Sequence, residues 1–344
     1  MKQGKFIISA DSPAPDAPAG LEDAVDAGPD AELRPFAIAV PHHGARLDRA
    51  LTALAPEFSR SYLQQLIEAG AVTLNGAAVA RCAHKVKAGD QGVIELRPTP
   101  QSQAFRPEPM ELKVVFEDEH LLVVDKPAGL VVHPAPGNWS GTLLNGLLAR
   151  DPAAALLPRA GIVHRLDKDT SGLMVVARSR ATMDALVQRI AAREVARQYV
   201  ALAHRPWGTA ALRNVDAPIG RDPRNRLRMA VVESGKPART LFERLQECAQ
   251  GCWVRATLET GRTHQIRVHM AHIGHPLVAD ELYGGAPAAG LARQALHAYR
   301  LAFEHPATGR ALEFHAPLPA DLRQALAAWG LRYNDLEWLT SHAP

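Results

Sequence analysis

His164-Arg165-Leu166-Asp167-Lys168-Asp169-Thr170-Ser171-Gly172 stands between two short apolar runs, Gly161-Ile162-Val163 and Leu173-Met174-Val175-Val176-Ala177. The pattern predicts a strand, a polar loop and a second strand. A turn alone needs only the Asp169-Thr170-Ser171-Gly172 end, where Asp, Ser and Gly supply turn geometry. This loop also sets two cations, Arg165 and Lys168, around the Asp167 carboxylate. Nearby positive charge favours the ionised form of an acid. An ionised carboxylate held in a loop above a sheet is a candidate nucleophile or charge stabiliser.

Toward the N-terminus, Leu121-Leu122-Val123-Val124 and Leu130-Val131-Val132 flank Asp125-Lys126-Pro127-Ala128-Gly129 and read as a hairpin. Thr142 is placed to cap a helix that opens at Gly141-Thr142-Leu143-Leu144-Asn145. Toward the C-terminus, residues 181–193 read as a helix and Val195 to Ala203 as a strand carrying Tyr199. Trp253 to Thr260 is a further strand, ending in Gly261-Arg262-Thr263-His264-Gln265-Ile266-Arg267. Between them Arg213, Arg221, Arg224, Arg226, Arg228, Lys236 and Arg239 form a basic stretch, read as irregular and as a candidate nucleic-acid face. Strands and helices mix without regular βαβ alternation, so α+β is the predicted class.

Residues 98–109 are proline-rich and read as a stiff linker. Ahead of them lies a compact stretch. Leu47, Leu51 and Leu54 fall at helical spacing, as do Leu63, Leu66 and Ile67. Val72-Thr73-Leu74-Asn75-Gly76 carries an Asn-Gly hairpin signal, and Val86, Gly89-Asp90 and Val93-Ile94-Glu95-Leu96 suggest further strands. Arg46, Arg49, Arg60, Arg81, Lys85 and Lys87 decorate this module.

The length of 344 residues suggests two domains, and 47% hydrophobic residues allow a sizeable core. No apolar run approaches the roughly 18–20 residues of a membrane helix. The apolar segment near Met1 is too short for a secretory signal. Cys82, Cys248 and Cys252 make no disulfide framework, which fits a reducing cytosol. The net charge of +3 is unevenly spread. Residues 1–35 set Lys2, Lys5 and Arg34 against Asp11, Asp16, Glu22, Asp23, Asp26, Asp30 and Glu32, so a basic body follows an acidic leader. Rich in Pro, Ala, Gly and Asp, that leader reads as disordered. A basic body suits a polyanionic partner. His264, His269, His272 and His275 do not share one helical face and match no HExxH pattern, so a metal is not expected.

Four pieces of the second domain resemble the RluA-type pseudouridine synthases. They are DKPAGLVVHP from Asp125, the HRLDKDTSG loop from His164, R-x-Y-V-A-L at 197–202, and LETGRTHQIRVH at 258–269. The R-L-D-R-x-L pattern from Arg46, Ser59-Arg60, the V-x-L-N-G hairpin and the V-x-x-G-D turn resemble an S4 RNA-binding domain. Together they look most like the RluD branch, whose members modify large-subunit ribosomal RNA. One spot departs from the family: Ala279 and Glu281 stand where Gly and Pro are common.

The resemblance implies a pseudouridine synthase catalytic fold, a mixed and largely antiparallel sheet with a central cleft, preceded by a small S4 domain. The expected layout is a leader at 1–35, an S4-like domain at 36–97, a linker at 98–109, a catalytic domain at 110–320 and a C-terminal helix or tail at 321–344. The implied reaction isomerises uridine to pseudouridine and needs no cofactor or metal. Asp167 is the implied catalytic carboxylate, Arg262 its partner and Tyr199 the residue against the base. Arg165 is expected to fill the gap left by a flipped uridine. RNA contacts are expected from His164, Arg165, Lys168, Arg46, Arg49, Arg60, Lys85, Lys87, Arg224, Arg226 and Arg228. The expected partner is large-subunit ribosomal RNA, met by a monomer in the cytoplasm. Two alternatives stay open, a related synthase acting on other ribosomal sites or transfer RNA, and a non-catalytic S4 RNA-binding or ribosome-assembly protein.

Overall fold

The computed structural model of the chain describes residues 32–97, 104–135 and 137–333. The chain divides into two compact units between Thr99 and Pro100. Residues 1–31 of the acidic leader lie outside the described residues, whereas Glu32 to Pro35 belong to the first strand.

The first unit runs β1 (Glu32–Ala37), α1 (Leu47–Leu54), α2 (Arg60–Glu68), β2 (Val72–Leu74), β3 (Ala77–Ala78) and β4 (Gln91–Leu96). Its antiparallel sheet has the order β1-β4-β2-β3. Leu47 and Leu51 of α1 and Leu63, Leu66 and Ile67 of α2 form one core with Val72, Leu74, Ile94 and Leu96. The helical spacing of those leucines thus gives the faces that meet the sheet. Asn75 and Gly76 both take positive φ, 51° and 82°, as a tight hairpin turn demands. Val86 lies outside the strands; its neighbour Lys85 bridges to Arg46.

The second unit adds β5 (Val114–Glu117), β6 (Leu121–Lys126), α3 (Leu143–Arg150), β7 (Ser171–Ala177) and α4 (Arg180–Ala191). Then follow β8 (Ala196–His204), β9 (Leu212–Asp216), β10 (Ile219–Arg221), β11 (Met229–Val231), β12 (Arg239–Glu247) and β13 (Gly251–Leu258). Helix α5 (Gln265–His272), β14 (Leu296–Glu304), β15 (Ala311–His315) and α6 (Ala320–Ala328) complete it. Nine strands form one sheet, β5-β6-β7-β14-β8-β13-β12-β9, with β15 on β14. Only β7 and β14 run parallel, through His297–Ser171 and Ala298–Gly172.

Both faces of this sheet are covered, which is why β6 and β7 read as continuous apolar runs. Leu122, Val124, Met174 and Val176 pack with Leu143, Leu144 and Leu147 of α3 on one side. Leu121, Val123, Leu173 and Val175 pack with Leu186 of α4 on the other. Helix α6 joins a core with Val200, Leu202 and Trp253 through Leu322, Ala325 and Leu326. Helix α3 starts with a capping box, Thr142 accepting from Asn145 N while the Asn145 side chain accepts from Thr142 N. Asn145 also donates to Ala104 O and Arg106 O, so the end of the proline-rich stretch is tied to this unit.

Three sequence expectations change. Residues 125–134 are no hairpin: β6 continues to Lys126 and pairs with β5 and β7, and no strand follows. The run Gly161-Ile162-Val163 reduces to one bridge, Ile162 to Val176. The basic stretch 213–239 is largely ordered, with β9 on the main sheet and β10 and β11 forming a separate hairpin.

The loop of interest is fixed where β7 meets β14. A Cβ built on Gly172, whose φ is +116°, lies 2.2 Å from Ala298 O. Gly172→Ala is therefore expected to destabilise the protein by at least about 2 kcal/mol, since backbone cannot retreat as a side chain does. Gly129, with φ +87° and open space around its Cβ position, serves as control. Gly129→Ala is expected to cost only the roughly 1 kcal/mol of a left-handed Ala. Denaturant unfolding of both variants measures the difference.

Candidate active site

The loop ahead of β7 opens into a cleft of about 820 Å³, lined by Arg165, Asp167, Arg197, Tyr199, Arg262, His264 and Arg267 among others. That volume is in the roughly 300–1,000 Å³ range of ligand clefts. Tyr199 comes from the middle of β8, opposite Ala298 of β14 and Ala256 of β13. Arg197 lies two residues earlier and shares its face of the strand.

Asp167 Oδ2 accepts from Arg267 Nη1 at 3.0 Å. The pairing with Arg262 expected from the sequence does not form. Arg262 precedes α5 and is exposed, and its Nε donates to Pro237 O at 3.0 Å. Arg267 lies inside α5, almost fully buried, where it can reach across to the loop. Its Nε and Nη2 also donate to Asp280 Oδ2 and Oδ1, both at 2.8 Å. The Tyr283 ring lies 5.0 Å from the guanidinium carbon, in cation–π range. Burial alone would depress the Arg267 pKa, but Asp280 and then Asp167 outweigh it and raise it.

The start of α5 is held by Gln265, which is 3% exposed. Its Oε1 accepts from Arg262 N and Thr260 Oγ1, while Nε2 donates to Arg239 O and Thr240 Oγ1. His264 takes a left-handed conformation, φ 57°. Tyr283 OH accepts from Met229 N at 3.0 Å and lies 2.8 Å from His264 Nδ1. With the phenol donating to Nδ1, the proton of His264 sits on Nε2, 3.8 Å from Asp167 Oδ1. Burial lowers the His264 pKa, against the pull of Asp167. Ala279 has φ 58° beside Asp280. An alanine holds that left-handed turn at a cost of about 1 kcal/mol.

Tyr199 is 6% exposed, and burial pushes its phenol up to about 12, with Arg197 opposing and Asp167 adding to the rise. It is thus a neutral phenol at ordinary pH, suited to stacking and hydrogen bonding. His164, expected to contact RNA, lines the cleft while its ring bonds to the sheet: Nε2 accepts from Val175 N at 3.0 Å and Nδ1 is buried. Arg165 is exposed and lines the cleft. Lys168 is exposed but lies outside the cleft lining; its carbonyl accepts from Lys126 Nζ and Gly129 N.

In the first unit, Arg46 and Arg60 both donate to the fully buried Asp48, as does Gln64. Burial would raise the Asp48 carboxyl, but hydrogen bonding, Arg46 first, holds it well below the usual range. Lys85 Nζ donates to Gly44 O. Arg49 and Lys87 are exposed without an ion pair among the described residues. In the β10–β11 turn, Arg228 is paired with Asp222 at 2.6 Å, while Arg224 and Arg226 stay exposed.

His269 of α5 and His275 beyond it are tied into the surrounding structure. His269 bonds Thr240 Oγ1 and Ala217 O, and His275 bonds His204 O. No group of three metal-ligating side chains occurs among the described residues, and no described helix is long and apolar enough to cross a membrane.

Sequence reading missed Arg267, Asp280, Tyr283 and Arg197. Arg267 and Arg197 stand in the quoted motifs, but spacing alone does not say which arginine of GRTHQIR faces the loop.

The carboxylate gripped by a buried arginine, and the tyrosine two strands away on β8, all lie in a stretch that matches a known family. Residues 120–272 match the family described as RNA pseudouridylate synthase, and residues 45–91 match the S4 domain. The chain is a member of the RNA pseudouridylate synthase family and carries an S4 domain ahead of the catalytic unit. Two relatives bear the name "Ribosomal large subunit pseudouridine synthase D". One, from Neisseria meningitidis serogroup B, is 47% identical over 86% of this chain and 83% of its own length. The other, from Nitrosomonas europaea, is 47% identical over 83% of this chain and 84% of its own. Among solved structures, "Human RNA Pseudouridylate Synthase Domain Containing 1" is 27% identical with a TM-score of 0.53, covering 68% of this chain and 96% of that one.

Two expectations follow. Arg267→Met strands Asp280, so it should cost about 3–5 kcal/mol and abolish turnover. Arg262→Ala should shift stability by less than about 0.5 kcal/mol and leave measurable turnover. Thermal unfolding and a pseudouridine assay decide; an active Arg267→Met would reverse the assignment.

The second concerns pH. Burial first, then Arg197, lowers His164 to about 3, and burial lowers His297 to about 4. As pH falls below the ordinary value near ~6.5, the unfolded chain gains protons that the native one refuses. Stability should therefore fall from pH ~6.5 toward 4, by up to about 1.4 kcal/mol per pH unit for each histidine. Urea titrations across that range should show a shallower fall for His164→Gln, which keeps an acceptor for Val175 N.

Proposed function

We propose that this protein converts specific uridines of large-subunit ribosomal RNA to pseudouridine, acting as a monomer in the cytoplasm without metal or cofactor. The observation that carries the reading is the Asp167–Arg267–Asp280 array at the cleft, beside Tyr199. The names of the Neisseria and Nitrosomonas relatives support the ribosomal substrate.

The reaction breaks the C1′–N1 bond, turns the uracil and joins C5 to C1′; the proton lost from C5 is balanced by one gained at N1. No atom is added and no electron is lost. Charge that develops at the ribose needs a carboxylate, as in glycoside chemistry. Asp167 supplies it: Oδ2 is committed to Arg267, while Oδ1 accepts no hydrogen bond among the described residues. Tyr199 meets the base as a neutral ring. Arg165, exposed at the cleft, takes the place of the uridine in the RNA stack. Arg49, Lys87, Arg224 and Arg226 offer exposed charge for phosphates.

The test is pseudouridine mapping by carbodiimide treatment and primer extension. Unmodified large-subunit RNA is incubated with wild-type protein or Asp167→Asn. Stops are expected with wild type and not with the variant. Wild-type stops on transfer RNA alone would move the substrate, and stops that persist with Asp167→Asn would remove Asp167 from the chemistry.

A further inference from the structure

We infer that Arg197 touches the flipped base and neutralises the negative charge that leaves C1′ with the uracil, a role that rests on the function proposed above. Arg197 is 6% exposed, and its Nε is buried with no partner. Its guanidinium makes no hydrogen bond or ion pair among the described residues, in contrast to Arg267. An uncompensated buried cation is costly, so folding has reason to keep it only where something anionic or strongly accepting will meet it. Room is kept for it: a Cβ built on Gly261 lies 2.8 Å from Nη1. Its face of β8 is that of Tyr199, and both line the cleft that holds Asp167.

The location selects the base over a phosphate. Backbone phosphates stay near solvent, where the cleft offers the exposed Arg165 and Arg262. A buried cation beside the base-facing tyrosine meets the part of the nucleotide that enters deepest. When C1′–N1 breaks, the electron pair goes to the uracil and spreads over N1, O2 and O4. The cation stays at Asp167 and the anion at Arg197 until C5 closes on C1′. The same positive field lowers the Tyr199 pKa against burial.

The experiment is single-turnover conversion with saturating protein, using the full chain as wild type, Arg197→Met and Arg197→Lys. Each is run on uridine RNA and on RNA with 5-fluorouridine, whose fluorine withdraws electrons and stabilises the departing anion. Both are followed as loss of the intact N1-linked nucleoside, because a C5 that carries fluorine has no proton to release and cannot finish as pseudouridine. Removing one preorganised charge contact is expected to slow uridine conversion by about 10²-fold, as for other such contacts. The dissociation constant should stay within about twofold, and its salt dependence unchanged, because no phosphate contact is lost. With the fluorinated RNA the defect should shrink to about tenfold or less, and Arg197→Lys should recover at least about tenfold over Arg197→Met. An equal defect on both RNAs, or a dissociation constant that rises with the rate loss while the salt slope falls by about one, overturns the inference. So does a lysine variant as slow as the methionine one. If wild type converts transfer RNA only, the comparison is run there, and the ribosomal assignment falls separately from the role of Arg197.

Discussion

The buried Arg267 guanidinium holds the catalytic unit to its purpose. Two nitrogens meet Asp280 in a two-pronged contact and a third meets Asp167, 100 residues away in sequence. Asp280 is 2% exposed, so the pair with Arg267 is a near-fully buried one. Such a pair contributes little as net attraction, because both ions have lost water. What it supplies is direction. Arginine has a planar fork of donors, and with two prongs fixed on Asp280 the third can point to only one place. Asp167 is therefore oriented before any RNA arrives, and the stack of Tyr283 and the bond from its hydroxyl to His264 keep the fork from turning.

The loop that carries Asp167 has a second anchor, made of backbone carbonyls. Lys126, 1% exposed, donates to the carbonyls of Pro127, Leu130 and Lys168. Burial brings its ammonium down to about 8, with Asp169 and Asp167 opposing. Three carbonyls converge on one cation, so the segment after β6 and the HRLDKDTSG loop are closed onto each other. This explains why the DKPAGLVVHP segment is irregular. Its residues wrap a lysine instead of pairing as a second strand, and the Gly129 N to Lys168 O bond completes the wrap.

These two anchors also separate what was legible in the sequence from what was not. Asp167 stands out because it has a local signature, a charged loop between apolar runs, whereas Tyr199 enters only through the resemblance of R-x-Y-V-A-L at 197–202. The helices of the first unit follow from leucine spacing, and the Asn75-Gly76 turn from the one conformation that pair favours. Arg267 has no such signature. GRTHQIR contains two arginines, and only the placement of the helix start at Gln265, fixed by bonds to Arg239 and Thr240 on β12, decides which one faces the loop. His164 misleads for a similar reason, since a histidine in a polar loop looks exposed until Val175 N is seen to claim its ring. Arg46 and Arg60 look like free RNA-binding cations until the buried Asp48 is seen to hold both.

The remaining asymmetry lies between the two buried arginines of the cleft. Arg267 is committed: three of its nitrogens donate to Asp280 and Asp167 and the Tyr283 ring lies against it, so it can hold Asp167 in place without being drawn away by RNA. Arg197 is unsaturated at nearly the same depth. A site that splits a neutral nucleoside into a cationic ribose and an anionic base needs one field of each sign, separated by about the width of the nucleotide. The free oxygen of Asp167 provides the first: Asp167 and Asp280 share one guanidinium, so the cluster keeps a net negative charge while the paired oxygen fixes its direction. The second is best met by a positive group with no partner in the resting protein, because Arg267 is shared by two carboxylates and that cluster is net negative. Among the buried cations lining this cleft, Arg197 meets that condition and Arg267 does not.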